Sequence, residues 1–107
     1  MKLIIAIINR DDSNAVVQNL SRNGFSSTKL STTGGFLLAS NVTLLVGVED
    51  DQVQTAINLI RECSHSRQQM VPAITEMSYG FMPVMPVEVT VGGATIFVVN
   101  VERFERV

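Results

Sequence analysis

Two stretches of this chain, Lys2 to Ile8 and Thr43 to Val48, place apolar residues on both faces of any strand they form. A half-exposed strand would alternate apolar with polar, because successive side chains point to opposite faces. Each stretch therefore needs cover on both sides, and each is predicted to be a central strand. The longest apolar run, Leu3 to Ile8, is far short of the roughly 18 residues of a membrane span. Asn9-Arg10-Asp11-Asp12 ends that run before a signal-peptide core or cleavage site develops. No membrane partner and a cytoplasmic location are expected, in agreement with a lone cysteine that has no internal disulfide partner.

The segments between and after these strands read as helices and edges. Asp11-Asp12-Ser13 supply capping side chains ahead of Ala15, Val16 and Leu20, and Gly24 stands where a left-handed helix terminus favours glycine. This predicts a helix over residues 12 to 23. Phe25 to Thr32 alternates, carries many hydroxyls and reads as an edge strand. Asp50-Asp51 is expected to cap a second helix, in which Val53, Ala56, Ile57, Ile60 and Cys63 recur at helical spacing and form one buried stripe.

Asp11 to Leu20 and Asp50 to Leu59 resemble one another, and each follows an apolar strand, which implies a duplicated β-α-β unit. Ser64 to Pro86, with Met70, Met77, Met82, Met85, Pro72, Pro83 and Pro86, lacks a clear period and reads as a long loop. Val87 to Val91, Gly92-Gly93 and Ala94 to Val99 carry a hairpin signal, and Val101 to Val107 reads as a short helical tail. The whole order fits an α+β fold, a ferredoxin-like βαββαβ sandwich with an extra C-terminal β-hairpin strand. Its helices would cover one sheet face. Apolar residues on the other face would meet water, and exposed apolar surface of that size marks an interface, so a homo-oligomer is expected.

A length of 107 residues with 46% hydrophobic content supports a single domain over residues 1–107 with a real core. The net charge of -2 and the absence of a Lys/Arg cluster argue against a nucleic-acid polymer as partner. Cys63 and His65 are too few for a metal site, which wants three or four ligands. Cys63 also falls on the buried stripe without an orienting group, and the paired aspartates are better read as caps than as acids. The sequence offers no catalytic constellation, and neither enzymatic activity nor a cofactor is expected.

The segment from Thr28 to Asn41 interrupts the apolar pattern with small hydroxyls, Gly34-Gly35 and Phe36-Leu37. Paired glycines let backbone N–H groups approach a ligand closely, and Phe36 beside them would suit a molecule with a flat ring and an anionic part. A plain hairpin connection between two strands explains the same glycines. Both readings stand on residue types alone.

The chain resembles the PII-like cyclic-di-AMP receptor family, relatives of the nitrogen-regulatory PII trimers. The resemblance spans essentially the whole chain. It rests on Met1-Lys2-Leu3-Ile4-Ile5-Ala6-Ile7, Thr28-Lys29-Leu30, Thr32 to Leu37, Asn41, Gly47, Pro86 to Val89 and Gly92 to Val98. It implies a homotrimer with nucleotide sites between subunits, and it implies Thr28, Gly35, Phe36, Leu37, Asn41, Gly47 and Phe97 as ligand contacts. In that reading the phenylalanines pack on purine faces, Asn41 meets a base edge, Thr28 meets a phosphate oxygen and Gly47 leaves space. The chain departs from the family at Gly24 and Ser26, where a polar residue and an arginine are usual, so a pocket cation is missing. The expected function is a non-enzymatic signalling protein that binds cyclic-di-AMP between subunits and signals to an unknown downstream protein; weak periodicity and three prolines predict that the 64–86 loop, with the Gly34-Gly35 loop, is mobile when free and orders on binding. The alternatives are a regulator that binds ATP or AMP, or a structural oligomer without ligand.

Overall fold

The two doubly apolar stretches lie side by side at the centre of a four-stranded antiparallel sheet. A computed structural model describes residues 1–30, 41–72 and 86–107. Strand β1 (Lys2–Asn9) leads into helix α1 (Arg10–Arg22), then strands β2 (Thr28–Leu30) and β3 (Asn41–Val48). A short 3-10 turn (Asp50–Gln52) and helix α2 (Val53–Ser64) follow, then strands β4 (Arg67–Pro72), β5 (Pro86–Val91) and β6 (Ala94–Asn100). The main sheet has the order β2-β3-β1-β6, while β4 and β5 form a separate two-stranded ribbon. The sandwich is therefore ferredoxin-like, with β1 and β3 central as expected and the ribbon inserted between α2 and β6.

Both helices pack on one sheet face. Ile4, Ala6 and Ile8 of β1 and Val42, Leu44, Val46 and Val48 of β3 are buried there with Val16, Leu20, Ala56, Leu59 and Ile60. Full burial of such a Val, Leu or Ile side chain stabilises the fold by about 1.5–3 kcal/mol. The α2 stripe is as expected, with Ala56 and Ile60 buried, Val53, Ile57 and Cys63 packed at its margin, and Leu59 added. Asn19 Nδ2 ties the helices together by donating to Leu59 O and Glu62 Oε2, each at 2.9 Å.

Helix α1 starts earlier than residue 12 because Asn9, not an aspartate, is its cap. The Asn9 side chain accepts a hydrogen bond from the Asp11 N–H at 2.9 Å, while Asp11 and Asp12 occupy the first turn and favour its dipole. Neither the 3-10 turn nor α2 has a side-chain cap, so the capping role expected for Asp50-Asp51 is not fulfilled. Asp50 instead accepts from the Met1 amino group at 2.9 Å. The end of α1 is as read from Gly24, whose φ is +85°. Gly24 N–H donates to Ser21 O at 3.1 Å and Phe25 N–H to Leu20 O at 2.9 Å, a Schellman closure that seats Phe25 against the core.

The C-terminal third differs from the sequence reading. Ser64 belongs to α2 and Arg67–Pro72 is a strand, so the long loop does not begin at Ser64. No hairpin joins β5 to β6: β5 pairs antiparallel with β4, and β6 pairs antiparallel with β1. Gly92 and Gly93, with φ of +77° and +88°, carry the chain from one sheet to the other. The tail after Asn100 is not helical; the Val101 N–H donates to Met1 O at 3.2 Å and holds the tail beside the N-terminus. The rest of the long loop, residues 73–85, and the Gly34-Gly35 loop lie outside the described residues.

Candidate ligand cleft

The sheet register fixes what the helix-free face presents. Thr28 pairs with Leu45, Leu45 with Ile5 and Ile5 with Phe97, giving one transverse row; Gly47, Leu3 and Val99 form the next. Leu30, Thr43, Ile7 and Thr95 form the row on the other side. Strand alternation puts all of these on the face opposite the helices. Phe97 is 52% exposed, Val99 42% and Leu30 40%, so the apolar face expected to meet a partner is uncovered in the single chain.

One end of this face deepens into a cleft of about 520 Å³, within the usual range for small-molecule sites. Its floor is Leu3, Leu45 and Gly47 of the sheet. One wall is the turn that the Schellman closure places, Gly24, Phe25 and Ser26, with Thr28 beyond it. Met1, Val101, Phe104 and Arg106 form the opposite wall. A second cavity of about 290 Å³, lined by Asn23, Glu49 and Gln52, shares Gly24 and Gly47 with the cleft. The Arg106 guanidinium carbon lies 6.0 Å from the Phe104 ring centroid, in range of a cation–π contact.

Near the cleft, the Met1 amino group donates to Asp50 and its positive charge holds the Asp50 carboxyl below the ordinary aspartate value, with a smaller contribution from Lys2. That carboxylate is thus already matched by a cation. The main cleft itself is lined by one fixed cation, Arg106, two hydroxyls, Ser26 and Thr28, and two aromatic rings, Phe25 and Phe104, with no carboxylate among its described residues. Such a lining accepts a molecule that has flat apolar parts and an anionic part.

Of the residues expected from sequence, Thr28 and Gly47 line this cleft. Asn41 and Phe97 do not. Asn41 is exposed on the same face of β3 as Gly47 but at the opposite end, about 20 Å away at roughly 3.3 Å per strand residue. Phe97 shares the Thr28 row but stands two strands from Leu45, about 10 Å across the sheet. Gly35, Phe36 and Leu37 lie outside the described residues.

Sequence reading did not find Phe25, Phe104 or Arg106 as cleft residues. A helical tail, as the sequence predicts, would turn Phe104 and Arg106 apart, whereas in the non-helical tail both line the cleft. Arg106 lines the same cleft as Ser26, so the cleft has a cation despite the departure at Gly24 and Ser26.

The chain is thus a ferredoxin-like sandwich with an open, cation-bearing cleft of small-molecule size at the edge of an uncovered apolar sheet. The family model described as cyclic-di-AMP receptor matches residues 1–107, the whole chain, and the protein belongs to that family. A crystal structure of a functionally unknown protein from Pediococcus pentosaceus is similar, with 37% sequence identity, a TM-score of 0.75, and coverage of 99% of this chain and 96% of that one.

Proposed function

We propose that the protein is a non-enzymatic signal receptor that binds cyclic-di-AMP between the subunits of a homotrimer. The observation that carries this reading is the division of the expected contacts. Thr28 and Gly47 line one cleft, whereas Asn41 stands about 20 Å along the same strand at roughly 3.3 Å per residue. One small dinucleotide meets both sets most readily where one copy's cleft faces the Asn41 end of another. The uncovered rows around Phe97, Val99 and Leu30 supply an apolar surface for that packing.

Within the cleft, Arg106, Ser26 and Thr28 would hold phosphate oxygens while Phe25 and Phe104 pack against adenine. Phe36, Leu37 and the Gly35 amide would complete the site, and a change in their loop on binding would signal to a downstream protein. The alternative is a related regulator that takes ATP or AMP in the same cleft, where Arg106 would meet their phosphates. Calorimetric titration with cyclic-di-AMP, ATP and AMP separates the two readings. Light scattering tests the assembly: a mass about three times the 11.7 kDa chain is expected, and a monomer mass contradicts it.

A further inference from the structure

Asp12 sits in the first turn of α1 and is 8% exposed, yet its carboxylate is reached from the ribbon. The Arg67 guanidinium, at the first residue of β4, donates to it twice, through Nη2 to Oδ1 at 3.1 Å and through Nη1 to Oδ2 at 3.3 Å. Nη1 also donates to His65 O at 3.4 Å, where the chain leaves α2. Gly92, where the chain leaves β5, lies against the same group: a Cβ there would stand 2.5 Å from Arg67 Nη1 and 2.9 Å from His65 O. One guanidinium thus occupies the root of the ribbon between both of its connections and α1. Among the described residues, no other side-chain hydrogen bond or ion pair joins the ribbon to the sandwich.

We propose that the Asp12–Arg67 pair is a releasable latch that sets the direction of the β4–β5 ribbon relative to the sandwich. A fork-to-carboxylate contact fixes orientation as well as distance, so it can hold a lever at its base. It can also open without stranding a charge. The Arg67 side chain is 42% exposed and returns to water, while the Asp12 carboxylate keeps the favourable field of the α1 N-terminus. A buried pair lacking those outlets would leave an uncompensated charge on opening. Gly92 is required because any side chain there takes the space of the guanidinium, and its φ of +77° already disfavours other residues. The latch gives the protein two ribbon directions to choose between, and it does not depend on which ligand fills the cleft.

The test is a distance measurement by pulsed electron spin resonance on full-length Cys63→Ser protein. Spin labels go on Gln18→Cys in α1 and Glu88→Cys in β5, and the labelled chain is diluted with unlabelled chain so that distances within one chain are read. A single narrow distribution is expected for the parent. Arg67→Gln, Asp12→Asn and Gly92→Ala should each broaden or shift it, and the Asp12→Asn/Arg67→Gln double variant should go no further than the single ones. Arg67 is partly exposed, so Arg67→Gln keeps the test decisive if a variant at buried Asp12 fails to fold. An unchanged distribution in the folded Arg67→Gln protein overturns the latch.

Discussion

Gly47 on the floor of the cleft meets Met1 of its wall: a Cβ added to Gly47 would lie 3.6 Å from Met1 Cε, an ordinary van der Waals separation. The free chain therefore has room for alanine, and Gly47 has no positive φ to protect. Gly47→Ala should raise stability by about 0.4–1 kcal/mol by reducing unfolded-chain entropy. It should also weaken cyclic-di-AMP binding, because the added methyl enters the cleft. Thermal melting and calorimetry on the same sample check both signs. Unchanged affinity would remove Gly47 from the site.

Arg106 is the fixed cation of the cleft, and a hydrogen bond to a charged group is worth about 1.5–3 kcal/mol. Arg106→Gln should reduce affinity for the dinucleotide by about ten- to hundredfold on that basis and flatten its salt dependence. Ser26 lines the opposite wall of the same cleft, and Ser26→Arg should leave binding intact or strengthen it. Placed in the Arg106→Gln background, it should recover part of the loss. A binding curve for Arg106→Gln that matches the parent at every salt concentration rules out the tail as a phosphate contact.

The separation of Gly47 from Asn41 along β3 gives a test by mixing. Arg106→Gln and Asn41→Ala should each bind poorly alone. When the two proteins are unfolded together and refolded at equal amounts, about a quarter of intersubunit sites should regain two intact halves. Recovered binding capacity in the mixture is the expected result. No recovery places both residues in one subunit's site.

The parts of this structure that were legible in the sequence are those in which burial dictates the pattern. Strands β1 and β3 announce themselves because their apolar residues fall on both faces, one packed under the helices and the other forming the uncovered sheet face, and the end of α1 follows from the glycine a left-handed closure needs. Strand pairing is not encoded in the same way. Val87 to Val91 and Ala94 to Val99 flank two glycines, and local turn chemistry favours pairing them with each other. Their partners are instead β4 and β1, and the glycines serve a crossing whose tight spot is the Arg67 side chain. Thr28 and Gly47 could be placed in the cleft from the family's pattern of residues. Arg106 could not, because its place in the cleft follows from a tail whose Val101 N–H is held by Met1 O, a contact between the two chain ends.

The ion pair of the Met1 amino group with Asp50 makes stability pH-dependent in a defined direction. The pairing lowers the Asp50 pKa in the folded state relative to the unfolded chain, so its contribution is fully present above the unfolded value. It disappears as pH falls through the lowered folded value. Asp50→Asn should thus be slightly less stable than the parent at neutral pH, and the two melting curves should converge in strong acid. A carbon-detected NMR titration of the Asp50 carboxyl should show a midpoint below the ordinary aspartate value. A midpoint at or above that value contradicts the ion pair in solution.

Calorimetric titration of the purified protein with cyclic-di-AMP, with ATP and AMP as comparators, is the measurement on which the proposed function turns most directly. Saturable binding of cyclic-di-AMP at one molecule per chain, tighter than either comparator and weakened by both Arg106→Gln and Asn41→Ala, is the predicted result. No measurable heat or displacement with cyclic-di-AMP, or tighter binding of ATP or AMP, would contradict it.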